Sequence, residues 1–454
     1  MGAKLRERLV VIGGDAAGMS AASQARRMQP DLKITVFERG FYTSYGACGL
    51  PYYVEGLIKE IEDLVARTPE VFRQKYDIDA RVFHEVENID LNRRAIRVRN
   101  IKENKTFWEE FDKLLIATGA SPIRPKLPGI DAQGIFSLSI LPDGLAIRQA
   151  VQEKSTHRAV IVGGGYVGLE MAEALLARGL EVSLVELLPQ VMSTLDEDMA
   201  ELIAHTLREM GVTLYLGEGV ERFEASGNRV SGVKTSKRLL PADLVILGIG
   251  IRPNIALAKE AGIPLGETGA IAVDNHMRTH VPGVWAAGDC VECTHLVSGR
   301  KVFIALGTVA NKQGRVAGIN LGGGDAQFPG VVGTAIAKVG ETEVARTGLS
   351  AREAETLRID HVTAFVKART RAKYYPGGGS AAVKVVAEKN TSRFLGGQII
   401  GPPGAGKRID IFATALHAGM KVPEMLYLDL AYAPPVSPVW DPVLIVLRQV
   451  AGKL

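Results

Sequence analysis

The segment 44–53, SYGACGLPYY, sets one cysteine, Cys48, among small residues with glycines close on both sides. A thiol in that setting is open to approach, and its natural chemistry is nucleophilic. The chain has three cysteines, and the other two, Cys290 and Cys293, lie far away in sequence. A redox role for Cys48 would need a second sulfur or an oxygen from outside its own neighbourhood. Two routes supply it: a mixed disulfide with a substrate thiol, or a sulfenic acid. Only a thiolate attacks, so the pKa of Cys48 is expected to be depressed.

Two further patterns could do chemistry, and both have plainer readings. CVEC (290–293) has the spacing of a redox or zinc half-site, but no second pair exists, so it reads as two ordinary thiols and no metal is expected. GPPGAGKR (401–408) approaches a phosphate-binding loop, yet Arg408 stands where a magnesium-binding Ser or Thr belongs. It reads as a glycine-rich turn before the helical pattern IDIFATALHAG.

The elements that would position Cys48 are more explicit. Residues 9–14, LVVIGG, are a short apolar strand ending in glycines; DAAGMSAASQARRM follows with helical spacing, then the strand KITVFERG. A strand, glycine turn, helix and strand within about thirty residues is the setting of a dinucleotide fingerprint. Gly13 permits the tight turn and Gly18 close helix–strand packing, and the helix N-terminus faces a pyrophosphate. Glu38, ending the second strand, is placed for ribose hydroxyls. Asp15 departs from the pattern, standing where a glycine usually lets backbone approach phosphate.

The unit recurs at 159–168, AVIVGGGYVG, with the full set Gly163, Gly165 and Gly168, then the helix LEMAEALLARG and the strand EVSLVE ending at Glu186. A carboxylate there favours a free 2′-hydroxyl over a 2′-phosphate, and so NADH over NADPH. Two units imply two dinucleotides, and nicotinamide plus a tightly held flavin is the economical pairing. LLIATGASP (114–122), LVILGIGIRPN (244–254) and GVWAAGDC (283–290) are further strands stopping at glycines, marking where the chain leaves the first domain, crosses the second and returns.

Composition is that of an ordinary soluble globular protein. The chain has 454 residues, 46% hydrophobic and 23% charged, with a net charge of +4, too small to imply nucleic acid. No apolar run approaches the ~20 residues of a membrane span. The N-terminus, MGAKLRERLVVIGG, runs straight into a strand without the pattern of a signal peptide, and cysteine usage suits a cytoplasmic protein.

With these motifs in place, the chain resembles the two-dinucleotide flavoprotein disulfide reductases over essentially its full length. The resemblance implies an α/β chain of glutathione reductase-like architecture: two Rossmann-like domains and a C-terminal α+β dimerisation domain. The expected division is 1–118 for the first part of the FAD domain, 119–248 for the NAD(P)H domain, 249–328 for the return to FAD and 329–454 for dimerisation. ATG (117–119) and AGD (287–289) match its flavin motifs, and Asp289 is expected at the ribityl chain. The resemblance also implies cofactor contacts at Ala17, Arg39, Val86, Ala117, Thr118, Gly119, Tyr166, Val167, Glu170, Gly250, Gly288 and Ala305.

Within that family, ACGLPYY resembles most closely the coenzyme A-disulfide reductases and their polysulfide-reducing relatives. Most disulfide-reducing members carry a cysteine pair; Tyr53 occupies the partner position here. The oxidases and peroxidases of the family, which use the sulfenic route, usually carry a histidine in the first glycine loop, where this chain has Ala16. The implied activity is NAD(P)H-dependent reduction of coenzyme A disulfide or a related small disulfide or persulfide, with an oxidase and a slow redox sensor as alternatives. Many such enzymes carry an additional rhodanese domain, and this chain is expected to lack it. YYPG and YAPP resemble the family's two tyrosines that reach the cysteine from the partner subunit, which implies a homodimer with Tyr374, rather than Tyr375, and Tyr432 as catalytic groups. Ser20, Gln24, Arg27, Ser44 and Asn311 match coenzyme A contacts. Ala47 replaces the polar residue that often precedes the cysteine.

Overall fold

The computed structural model describes residues 6–454, so the first residues of the N-terminal reading, 1–5, lie outside the described residues. Among the described residues there are three five-stranded sheets. The first is parallel, in the order Val284–Ala286, Lys113–Ile116, Arg8–Ile12, Lys33–Glu38 and Ile78–Val82. Its strands are rich in Val, Ile and Leu because helices or loops cover both faces, the composition of a buried parallel sheet. The strand Val284–Ala286 comes from late in the chain, so the return segment completes the sheet that the N-terminus began.

The second parallel sheet runs Thr213–Leu216, Glu181–Glu186, Arg158–Val162, Leu244–Leu247 and Ile135–Ser137. Each parallel sheet is accompanied by a three-stranded antiparallel sheet, His84–Asp90 with Ala95–Asn100 and Lys105–Glu110 in the first unit, Val220–Ser226 with Arg229–Thr235 and Leu239–Pro241 in the second. The internal repeat thus extends beyond the two glycine turns. The two chain crossings between the units, Ala120–Pro122 and Ile251–Pro253, pair antiparallel with each other.

The third sheet is antiparallel, from Ala335–Val339 through Thr342–Gly348, Phe394–Gly401 and Ser380–Glu388 to His361–Arg369. One end of its apolar face, Ala337, Val339, Val344, Ala382 and Ile400, belongs to the same buried cluster as the second unit's core. The architecture is the expected one of two Rossmann-like units and a C-terminal α+β unit. No helix among the described residues is long and apolar enough to cross a membrane.

A stripe of small residues sets the geometry around the first turn. The helix Ala16–Met28 lies against the helix Gly307–Leu321, and a Cβ at Gly314 would stand 2.3 Å from the carbonyl oxygen of Ala17, one at Gly318 2.4 Å from that of Ala21. Only glycine allows this approach. Gln313, buried on the second helix, accepts the Gly288 N–H at 2.9 Å and so holds the turn that presents Asp289.

Candidate active site

The two glycine turns are built alike. Gly13 has φ +106° and Gly163 φ +107°, and a Cβ would stand 2.1 Å from Ala117 O in the first case and 2.4 Å from Gly248 O in the second. Gly18 and Gly168 face their own turns, where a Cβ would meet Gly13 O at 1.9 Å and Gly163 O at 2.0 Å. The second position needs no glycine for its backbone. Asp15 sits at φ −110° and Gly165 at φ −86°, ordinary extended conformations. That is why the departure at Asp15 is tolerated: its carboxylate turns away and accepts the Tyr45 N–H at 3.1 Å.

Each second strand ends in a carboxylate held by backbone donors. Glu38 accepts from Gly14 N at 2.8 Å and Gly40 N at 2.7 Å; Glu186 accepts from Gly164 N at 2.6 Å and Leu188 N at 2.8 Å. Bonding of this kind fixes the side chain at the mouth of its turn.

Both turns open into one cavity of about 2570 Å³, several times the ~300–1,000 Å³ of an ordinary ligand pocket. Cys48 lines it. So do all the cofactor candidates apart from Ala17, Gly18, Gly168 and Gly288, which pack behind the wall. Asp289 reaches the cavity without a hydrogen-bond partner for its carboxylate among the described residues, and burial raises its pKa to about 6. A half-buried acceptor left open, and two cradles that a Cβ would fill, fit two extended polyhydroxyl, pyrophosphate-containing ligands.

Cys48 sits in the turn Ala47–Gly49, just before the helix Leu50–Glu55, exposed toward the cavity. Its thiol departs from expectation. Burial by the surrounding walls, and next the carboxylate of Glu170, push the pKa up rather than down; Asp289 and Asp15 add to the rise. Glu170 is itself raised to about 7 by burial and by Glu173. The sequence around Cys48 gave no sign of this, because the three carboxylates arrive from other parts of the chain. Tyr53, at the position of a second redox cysteine, is buried, with the Arg148 guanidinium 4.3 Å from its ring centre. Cys290 and Cys293 are free, buried thiols in apolar clusters. Lys407 of the phosphate-loop-like segment is paired with Asp410 at 2.5 Å.

The remaining candidates form two groups. The hydroxyls of Tyr374 and Tyr432 lie 3.3 Å apart, on residues 75% and 47% exposed, and neither lines the cavity. One protomer thus brings the two tyrosines to each other and not to Cys48. On the outer face of the paired helices, Ser20 Oγ donates to Asn311 Oδ1 at 2.6 Å and Arg27 to Gln24 Oε1 at 3.3 Å. Ser44 is on the loop carrying Cys48, at φ 50°, its N–H bonded to Gly14 O at 3.0 Å.

Sequence reasoning missed several cavity residues and their supports. Tyr45 and Tyr52 line the cavity beside Cys48. Asn254 brackets Thr118, donating to its carbonyl at 2.8 Å and accepting its hydroxyl at 2.7 Å. Asn254 ends one of the glycine-punctuated strand segments, so its position was visible though its role was not. Gln313 carried no signal.

Residues 7–315 match the family described as pyridine nucleotide-disulphide oxidoreductase, and residues 334–442 its dimerisation domain. The NAD(P)H coenzyme A polysulfide/persulfide reductase of Pyrococcus horikoshii is 41% identical over 449 residues, covering 99% of this chain and 99% of that protein. The coenzyme A disulfide reductase of Staphylococcus haemolyticus is 30% identical over 434 residues, 95% of this chain and 96% of that one. The crystal structure of reduced CoADR-RHD from Bacillus anthracis superposes with a TM-score of 0.96 at 36% identity, covering 99% of this chain and 80% of that one.

Proposed function

Since this chain belongs to the pyridine nucleotide-disulphide oxidoreductase family, we propose that it is an FAD-dependent enzyme that uses NADH or NADPH to reduce coenzyme A disulfide, or a related small disulfide or persulfide, through Cys48. The observation that carries the reading is Cys48, without a cysteine partner, on the wall of the cavity into which both glycine turns open. We assign FAD to the first turn, with Glu38 and Asp289 toward its ribose and ribityl hydroxyls, and the nicotinamide nucleotide to the second, with Glu186 at the adenosine ribose. The division of the chain at 1–118, 119–248, 249–328 and 329–454 goes with this assignment.

Bound flavin and nicotinamide supply hydride and electron-pair transfer, chemistry that no side chain here can perform. The protein supplies the sulfur. The Cys48 thiolate attacks one sulfur of RS–SR; the S–S bond breaks, a Cys48–S–S–R bond forms, and RS⁻ leaves and takes a proton. An electron pair delivered to that mixed disulfide breaks it, returning the Cys48 thiolate and, with a proton, a second RSH. Burial, and after it the carboxylates of Glu170, Asp289 and Asp15, raise the Cys48 pKa within one protomer, so groups brought by bound ligands or by the partner subunit are the ones that would favour the thiolate.

Coenzyme A is supported as the thiol by the relatives' activities and by the polar face of Ser20, Gln24, Arg27 and Asn311, with Ser44 on the Cys48 loop. A homodimer is supported by the dimerisation family and by large exposed side chains at 427–440, including Tyr427, Val436, Val439 and Trp440. Tyr374 and Tyr432 then act at the partner's Cys48 site as a hydrogen-bonded pair. The same dimer accounts for their distance from the cavity of their own protomer.

The test is the intact mass of the oxidised protein before and after mild reduction, for wild type and Cys48→Ser. Loss of a coenzyme A or sulfur mass from wild type alone is expected. The serine variant should keep FAD and accept hydride, yet lose disulfide reduction. An adduct of one oxygen would move the protein to the oxidase branch, and a fully active serine variant would refute the assignment of the thiol.

A further inference from the structure

The strand-end carboxylates Glu38 and Glu186 are each followed by a segment that folds back onto its glycine turn, and the two segments are anchored differently. In the first unit the segment closes on its own domain: Thr43 Oγ1 donates to Arg67 O at 3.1 Å, and Ala66 N donates to Ser44 O at 2.8 Å. In the second, the segment 187–196 is tied to the C-terminal unit. Asp196, which begins the helix Glu197–Glu209, is 5% exposed; its N–H donates to Gln398 Oε1 at 2.9 Å, and its carboxylate accepts from Gln398 Nε2 at 2.8 Å. Lys384 Nζ stands 3.2 Å from the same carboxylate and 2.7 Å from that of Asp198. Arg346, buried and paired with Glu353 at 2.8 Å, donates to the carbonyl of Thr194.

The same segment reaches the cavity. Leu187, Leu188 and Ser193 line it, and Met192, at φ 48°, donates its N–H to Gly164 O at 2.8 Å. Val191, Met192 and Leu195 share a buried cluster with Val339, Val344 and Ile400 of the third sheet. The wall beside Glu186 is therefore fixed from a different domain, through a buried polar network whose members satisfy one another.

We infer that Gln398, Lys384 and Arg346 are positioning residues of the nicotinamide nucleotide site, holding the segment 187–196 in the shape that receives the adenosine half of the ligand. This rests on the assignment of the second glycine turn to that nucleotide. The C-terminal unit thus has a second task besides dimerisation: it sets nucleotide affinity in its own protomer.

Gln398→Glu places a second carboxylate against Asp196 at nearly constant volume. Adding Asp196→Asn restores an amide facing a carboxylate, and asparagine keeps one oxygen for the Ala351 and Arg352 N–H groups, which donate to the Asp196 carboxylate at 3.3 Å. In calorimetric titration of the flavin-loaded enzyme, NAD⁺ should bind Gln398→Glu roughly tenfold more weakly, and the double variant should return to within about threefold of wild type. FAD content and reoxidation of the dithionite-reduced enzyme by disulfide should be unchanged in both. Lys384→Met, which keeps the aliphatic stem, should weaken NAD⁺ in the same direction if Gln398→Glu does not fold. Unchanged NAD⁺ affinity in the folded variants overturns the inference. So does a parallel loss of NAD⁺ affinity, FAD content and reoxidation without rescue, which is the behaviour of a merely structural contact. If wild type binds neither NAD⁺ nor NADP⁺, the assignment of the second turn fails first, an outcome distinct from normal wild-type binding that the variants leave untouched.

Discussion

In the first glycine turn the N–H of Ser44, at φ 50°, reaches the carbonyl of Gly14 at 3.0 Å; in the second that of Met192, at φ 48°, reaches Gly164 at 2.8 Å. The backbone of the two turns repeats to this detail, and the differences lie in what each is joined to. The first carries Asp15, whose carboxylate ties the turn to the Cys48 loop through Tyr45. The second has a bare glycine at that place, and nothing stands within 4 Å of where its Cβ would be. One turn is coupled to the Cys48 loop; the other is an open cradle whose neighbouring wall is held by the C-terminal unit. A single supersecondary solution to pyrophosphate binding has been fitted to two tasks by its attachments, with its own geometry left alone.

Separate failure of the two turns is the largest effect to seek. A Cβ at Gly13 or Gly163 collides with backbone carbonyl at a positive φ, so alanine at either forces its turn open. Gly13→Ala should yield protein without flavin. Gly163→Ala should retain FAD with NADH binding weakened ~100-fold or more, an estimate from a strain of ~3 kcal/mol. FAD absorbance and a nucleotide titration report both; loss of flavin from the second variant would erase the division of labour.

A smaller effect tests whether the first turn's chemistry needs a second subunit. Tyr432→Phe removes only a hydroxyl, and disulfide turnover should fall toward ~100-fold, with flavin reduction by NADH nearly untouched. Mixed dimers of Cys48→Ser and Tyr432→Phe subunits contain one site with both groups intact, so part of the activity should return. No recovery after verified subunit exchange would make the tyrosine act within its own protomer or not at all.

Smaller again is the effect on nucleotide choice. Glu186→Ala should narrow an NADH-over-NADPH advantage by roughly tenfold, the equivalent of ~1.4 kcal/mol of repulsion removed, with FAD binding unchanged. Unchanged relative kcat/KM values would mean that the carboxylate serves only its two backbone donors.

An effect on stability alone, leaving turnover aside, separates the turns by titration. Burial, aided by Glu38, raises Asp15 from 3.8 to about 6, and the glycine of the second turn has nothing to titrate. The folded state therefore binds this proton more tightly than the unfolded chain does. The stabilisation is complete below the unfolded value and is lost as pH rises through about 6. Asp15→Asn keeps an oxygen for Tyr45 N–H and cannot ionise. Between about pH 4 and about pH 7 its urea-unfolding stability should fall ~2–2.5 kcal/mol less than that of wild type. Equal slopes would show that Asp15 is not held in its neutral form.

The sequence by itself determined both turns, their acids and the isolation of Cys48, because each is a local pattern. A glycine with positive φ, the helix after it and the carboxylate ending the next strand lie within about thirty residues and obey short-range sterics. The repeat of that pattern, and the apolar strands that stop at glycines, made the two Rossmann-like units legible as well. Tertiary structure alone decided what surrounds them. The rise in the Cys48 pKa comes from burial by the assembled walls and then from Glu170, Asp289 and Asp15, which are remote from one another in sequence and meet only around the cavity. The pairing of Tyr374 with Tyr432 joins residues 58 positions apart. Gln398 meets Asp196 across 202 positions, and neither belongs to a motif. Electrostatics and buried hydrogen bonding act through distance in space, which a one-dimensional pattern does not encode, whereas turn geometry acts through neighbours along the chain, which it does.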